Sequence, residues 1–263
     1  MPPLPEAPAG AGTPQLGQQL EFYGANGYLV VSGALDRQEV AVINEAVDAD
    51  LAANPTLWQN RGNARVAVHV LMAHPVMDGT MRPARLLPLL EAIMGPELCA
   101  EEHSVRIRVP NPDGEPECHW HRDAQRPDAG VPYRTRYLSV VYYLSDVDAT
   151  THTFSVIPGS GQGEDLPPVE EYDLGAAHHI EGPAGTAVLF NAATIHAGNV
   201  RRTDRERRTI HIYCGRSSDR HLSNYTIFPG RLLHAGEEAV RRYYGRPNAI
   251  TRLVQDHFEG GRA

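Results

Sequence analysis

The chain has 263 residues, enough for one sizeable core. Hydrophobic residues make up 41% and charged residues 21%, as in an ordinary globular protein; the net charge of −8 argues against a nucleic-acid binder, and no apolar run is long enough to span a bilayer. Histidine aside, every basic residue is arginine, which excludes a lysine Schiff base or a lysine general base.

The Pro/Ala/Gly-rich start is read as a disordered leader, 1–15, ahead of a single domain, 16–260. It lacks the basic start and apolar stretch of a signal peptide, so the expected compartment is the cytoplasm. The first third reads helical. Leu16 to Gly24 is a short amphipathic stretch, and Gly27 to Val31 a short strand. Asp36-Arg37-Gln38-Glu39 has capping-box form. Val40, Ile43, Val47 and Leu51 follow it at helical spacing. A second helix is expected over Arg85 to Met94, stopped by Gly95.

After Cys99 the pattern becomes short and alternating. Strands are expected over His103 to Val109, Leu138 to Leu144, Phe154 to Ile157, Ala187 to Phe190 and Thr209 to Tyr213. Pro158-Gly159-Ser160 marks a turn. Several short strands with Gly/Pro turns imply a sandwich or barrel. From Arg231 to Phe258 the chain reads helical again. Cys99, Cys118 and Cys214 form neither a disulfide framework nor a C-x-x-C pair.

The densest set of potential ligands is Cys118-His119-Trp120-His121-Arg122-Asp123. In extended backbone, residues two apart point the same way, so His121 and Asp123 can face one point. His196, placed at the end of the Ala187 to Phe190 strand, is the best third ligand. Two histidines and a carboxylate leave metal positions open, the arrangement of Fe(II) oxygenases. A chelating dicarboxylate such as 2-oxoglutarate would need a guanidinium fork at its far end. Arg207, eleven residues beyond His196, is placed to supply it; Arg208 is the alternative one residue on. The remaining arginines of Arg201 to Arg208 read as a solvated loop, interrupted by Asp204 and Glu206.

The chain resembles the phytanoyl-CoA dioxygenase family of Fe(II)/2-oxoglutarate oxygenases. The resemblance rests on Phe22 to Leu35, Trp120-His121-Arg122-Asp123, Tyr143-Leu144-Ser145-Asp146, Val156 to Ser160, His196 and Arg207, in order over most of the chain. It implies a mainly β fold with flanking helices, a double-stranded β-helix (jelly roll, cupin-like). It implies His121, Asp123 and His196 as ligands of Fe(II), and 2-oxoglutarate and O2 as cosubstrates, with Arg207, Thr209 and Cys118 around the 2-oxoglutarate. Asp123 favours oxygenation over halogenation, because halogenases of the family replace that carboxylate. The family often has His after Pro-Gly-Ser, where this chain has Gly161.

The expected activity is hydroxylation, or oxidative cyclisation or desaturation, of a small polar metabolite, such as a natural-product intermediate. Arg106, Arg108, His119, Gln125 and His211 are candidate substrate contacts. His152, His178 and His179 read as solvated. Two other readings stay open: a zinc hydrolase using His119, His121 and Asp123, and a ligand-binding jelly roll without chemistry. No membrane or nucleic-acid partner is expected.

Overall fold

The computed structural model describes residues 13–124, 135–163, 166–219, 221–223, 225, 227–234, 236–244 and 253. The strands are β1 (Tyr28–Val31), β2 (Gln59–Arg61), β3 (Ala64–Ala67), β4 (Leu98–Arg108), β5 (Leu138–Tyr143), β6 (Thr153–Val156), β7 (His178–Ile180), β8 (Ala187–Asn191), β9 (His196–Asn199) and β10 (Arg207–Arg216). The helices are α1 (Thr13–Asn26), α2 (Arg37–Ala53), α3 (Val70–Ala73), α4 (Asp78–Met81), α5 (Leu87–Met94), α6 (Gly230–Leu233) and α7 (Glu238–Tyr244).

Seven strands form an antiparallel sheet in the order β1-β8-β5-β10-β4-β3-β2, and three form a second in the order β7-β6-β9. The segment around Glu117 and His121 extends the small sheet beyond β9. Glu117 bridges to Val200, and His121 to His196, both antiparallel. Two facing sheets of this kind are the jelly roll expected from the sequence.

The large sheet has two chemically different faces. Outward, Val105, Ile107, Val140, Leu189 and Ile210 pack against Ile43, Val47, Leu90, Ile93 and Tyr243 of the helices in one large core. Alternation sends the next residues inward. On β1, β8 and β5 these are Tyr28, Val188, Phe190, Val141 and Tyr143, which meet Phe154, Val156 and Ile180 of the small sheet in a second core. On β10 and β4 they are Arg207, Thr209, His211, Arg106 and Arg108, with Arg207 opposite Arg108 and Thr209 opposite Arg106. One end of the interior is therefore sealed with apolar groups, and the other is polar.

Local chemistry explains the helix ends. Asp36 caps α2 by accepting from Glu39 N, while the Glu39 carboxylate accepts from Asp36 N. Gly95, at φ 78, closes α5 by donating to the carbonyl of Glu91.

Several elements differ from the sequence reading. α1 starts at Thr13, inside the expected leader. β4 starts at Leu98, five residues earlier than expected. β2, β3 and β7 were not read from the pattern. Asp50, rather than Leu51, completes the buried face of α2. Of the C-terminal helical stretch, α6 and α7 are described and most of the remainder lies outside the described residues.

Candidate active site

His121 and His196 are adjacent across a reciprocal backbone bridge, with N···O distances of 3.1 and 3.0 Å. Asp123 follows on the same segment, its N–H donating to the carbonyl of Ala192 at 2.9 Å. His196 is not at the end of β8, as its position in the chain suggested. A turn over 192–195 carries the chain to the other sheet, and His196 opens β9. The third group thus comes from the strand beside the His-x-Asp segment.

One ligand atom from each of His121, Asp123 and His196 lies within 4.8 Å of the other two. Each imidazole Nε2 is 3.4 Å from a different oxygen of Asp123. Each Nδ1 meets a backbone carbonyl, His119 O at 3.0 Å and Thr194 O at 2.9 Å. A proton on Nδ1 donates there and leaves the Nε2 lone pair free for a metal. Burial alone would raise the Asp123 pKa. Hydrogen bonds and charge from His121 and His196 outweigh it and hold the carboxyl well below its ordinary range. The hydrogen bond to Asp123 in turn raises the pKa of His121 against its desolvation.

The supports of this set were not read from the sequence. Tyr213 donates to Asp123 Oδ2 at 2.9 Å and stacks on Tyr137 at 5.5 Å. Phe154 and Phe190 lie 5.6 and 4.5 Å from the His196 ring. Arg122, between the two ligands of the motif, donates to the carbonyls of Ala193, Pro167 and Ser160. It ties the His-x-Asp segment to the turn before His196. Gly161 also belongs here, since a Cβ on it would lie 2.7 Å from Thr194 N. Close packing against the His196 turn gives the Gly161 departure a physical reason. Tyr213 had a signal, being one step beyond His211 on the same face of β10; Arg122 had none in its local pattern.

A cavity of about 210 Å³ opens from the three ligands. Its walls include Arg61, Arg106, Arg108, Arg207, His211 and Tyr213. Arg207 is 4% exposed, and its Nε and Nη1 have no hydrogen-bond partner. Desolvation, with Arg108 and Arg106 nearby, lowers its pKa to about 10 against the weaker opposing effect of Tyr143. Arg208 points the other way, to Asp48 and Glu206. His211 is buried, and desolvation followed by Arg106 and Arg207 keeps its pKa well below the ordinary value. It is a neutral imidazole, with Nε2 at 3.1 Å from Thr209 Oγ1 and Nδ1 unpartnered.

Other candidates fall elsewhere. Thr209 is buried beside His211 and does not line the cavity. Cys118 is exposed, near Arg108 but not on the cavity wall. The His119 side chain is 89% exposed and lies 3.5 Å from Glu117, and it is not on the cavity wall. Among the described residues the ligand atoms that converge are those of His121, Asp123 and His196, without His119, which a zinc hydrolase of the alternative reading would use. Gln125 lies outside the described residues. His152 is a correction. It is fully buried, bonding the Val109 carbonyl and accepting from Arg201 N. His179 is exposed as expected, while half-buried His178 bonds the Tyr28 hydroxyl.

The residues fit an iron and a keto-acid on two observations. The donor set is two neutral-capable imidazoles and a carboxylate, and a buried guanidinium without a partner faces the same cavity. A jelly roll whose cavity gathers two histidines and one carboxylate is the arrangement found in Fe(II) oxygenases. The chain belongs to the phytanoyl-CoA dioxygenase family, whose model matches residues 23–209, and it is by that membership a non-haem Fe(II)/2-oxoglutarate dioxygenase. No curated protein matches its sequence.

Solved structures share the fold at low identity. The epimerase SnoN from nogalamycin biosynthesis, a non-haem alpha-ketoglutarate-dependent enzyme, is 21% identical with a TM-score of 0.62, over 78% of this chain and 85% of that one. HygX from Streptomyces hygroscopicus, with nickel and 2-oxoglutarate bound, is 17% identical with a TM-score of 0.63, over 78% and 88%. EctD from S. alaskensis, with bound Fe, is 22% identical with a TM-score of 0.63, over 79% of each.

Proposed function

We propose that His121, Asp123 and His196 hold Fe(II), that Arg207 grips the far carboxylate of 2-oxoglutarate, and that the enzyme oxidises a small polar metabolite. When bound, iron would supply oxidation of an unactivated C–H bond by O2, coupled to conversion of 2-oxoglutarate to succinate and CO2. The observation that carries the reading is Arg207. A buried guanidinium without a partner is costly unless an anion completes it. This one faces the cavity that the triad also lines.

The chain's own groups do the positioning. The carbonyls of His119 and Thr194 fix the imidazole tautomers, and Tyr213 fixes the carboxylate. Phe154 and Phe190 exclude water from the side of His196. His211 stays neutral and adds no charge beside Arg207. The structural neighbours include an epimerase and a carbocyclase from nogalamycin biosynthesis, which supports a natural-product intermediate as substrate. Hydroxylation, ring closure or desaturation would all use the same groups. A single oxygenase domain that includes all of α1 and a cytoplasmic location complete the proposal.

The test is anaerobic addition of Fe(II) and 2-oxoglutarate. A weak visible charge-transfer band, absent with either alone, is the expected result. No band, or a band undiminished in Asp123→Ala, would overturn the assignment.

A further inference from the structure

The walls around the triad carry more positive charge than the metal and cosubstrate can use. Arg61, Arg106, Arg108 and Arg207 all line the cavity, against the one carboxylate of Asp123. Among the described residues, none of the four forms an ion pair. The two charges of Fe(II) offset the two of 2-oxoglutarate, so their arrival leaves the surplus in place. Arg207 and Arg108 are cross-strand partners, and the Arg108 guanidinium lies over Gly198, two residues past His196. Those two belong to the inner end, where the cosubstrate is proposed to sit.

Arg106 and Arg61 are placed differently. Both also line a second cavity of about 240 Å³, which shares Val66, Asp123 and Tyr213 with the first. This outer space is walled by Tyr137, Leu222, Ser223 and Tyr225. Its two carboxylates are Asp123 and Glu102; Glu102 accepts from the Ser223 hydroxyl at 2.7 Å, and among the described residues neither acid forms an ion pair with Arg61 or Arg106. Arg106 Nε is buried and has no partner. Among the described residues Arg61 bonds neutral groups, donating to Gln59 Oε1 and the Tyr225 hydroxyl. Two guanidinium groups that form no ion pair among the described residues thus flank the passage from the outer space to the proposed metal ligands.

We propose that the substrate carries an anionic group, a carboxylate or phosphate, held by Arg106 with Arg61 at the junction of the two cavities. The inference rests on the oxygenase reading and names the substrate class for that site. Arg106 donates the buried, directional bond, and Arg61 closes from the solvent side. The carbon to be oxidised then lies on the Asp123 side of the anion. A cationic substrate would meet repulsion at the same passage.

The experiment titrates the anaerobic enzyme, in Mn(II) and saturating 2-oxoglutarate, with four compounds on one ring: benzoate, phenyl phosphate, benzamide and benzylamine. Calorimetry reads binding with Arg207 already engaged. Benzoate or phenyl phosphate should bind at least about tenfold more tightly than benzamide, and benzylamine more weakly than both. The better of the two anions identifies the group. Arg106→Gln should erase the anion preference, Arg106→Lys should keep part of it, and Arg61→Gln should reduce it and its salt dependence. Equal affinity for benzoate, phenyl phosphate and benzamide would overturn the inference, as would an anion preference that survives Arg106→Gln. Calorimetry does not depend on the iron band, so an absent band would count against the oxygenase reading and leave the anion preference to be judged on its own.

Discussion

Arg207 and Arg208 are neighbours with opposite fates, and the difference is measurable. Arg207 is a buried charge without a partner, while Arg208 is paired with Asp48 and Glu206 on the opposite face of β10. Arg207→Gln should weaken 2-oxoglutarate binding by about 2–5 kcal/mol, the cost of removing one partner of a buried charged contact. The same change should raise the melting temperature of the ligand-free protein, because it removes an uncompensated buried charge. Arg208→Gln should leave 2-oxoglutarate affinity within about twofold, since its guanidinium turns to Asp48 and Glu206 and does not line the cavity. Titration of each variant with 2-oxoglutarate beside Mn(II), together with thermal melts, separates them; lost affinity in Arg208→Gln alone would move the anchor by one residue. Tyr213→Phe tests the support of the metal ligands. It deletes the bond to Asp123 Oδ2 and keeps the ring stacked on Tyr137. Fe(II) affinity should fall about 10–100-fold, the usual cost of losing a group that orients a ligand. Unchanged affinity would reduce Tyr213 to packing.

The elements differ in how openly the sequence displays them. α2 is legible because its cap and apolar series are local, and β5 and β8 because they are short runs rich in aliphatic and aromatic residues. β4 was legible only from His103. Its first half contains Glu101 and Glu102, which break the apolar alternation yet are both buried. A register shift opposite Tyr213/Cys214 leaves Glu101 as the extra residue. The Glu101 carboxylate accepts from Leu222 N and Ser223 N, partners more than a hundred residues away. Asp50 is similar: a buried acid on α2, satisfied by Trp58, Asn54, His69 and His74. Polar groups whose partners come from distant loops cannot be told from surface groups by local pattern. The His-x-Asp spacing was legible for the opposite reason, because alternation is local. The register that brings His196 beside it is not, and followed from the family resemblance. β4 also yields a pH prediction. His103 is buried with no partner on either ring nitrogen, and burial lowers its pKa to about 3. The unfolded chain binds a proton near pH 6.5 that the folded chain refuses, so stability is full above that value and falls as pH drops toward 3. The slope from one proton is about 1.4 kcal/mol per pH unit. Urea unfolding between pH 4 and pH 7 should therefore be less pH-dependent in His103→Phe than in the native chain; equal slopes would mean that His103 titrates freely.

At the scale of the molecule, the site joins two halves that are otherwise held at one end. The apolar seal between the sheets runs through Tyr28, Phe154, Phe190 and Ile180 on the β1-β8-β5 side. On the β10-β4 side the sheets face each other across the cavity, with arginines on one wall and the three proposed ligands on the other. His121 and Asp123 belong to the segment bridged to β9, and His196 to β9 itself. Arg207 belongs to β10 in the opposite sheet. A metal alone would thus cross-link groups within the small sheet, and a keto-acid chelated to it would reach across to the large one. Binding to the native state alone stabilises it by about 2.7 kcal/mol at a hundredfold excess over the dissociation constant. For a chain of this size each kcal/mol moves the melting temperature by roughly 2–4 °C. Mn(II) with 2-oxoglutarate should therefore raise the melting temperature by about 5–10 °C, more than the sum of either added alone, and a chelator should reverse it. In Arg207→Gln the Mn(II) shift should persist and the additional 2-oxoglutarate shift should shrink. If 2-oxoglutarate gave the same shift with and without metal, it would be binding the arginines without spanning the sheets, and the triad and Arg207 would be two sites instead of one.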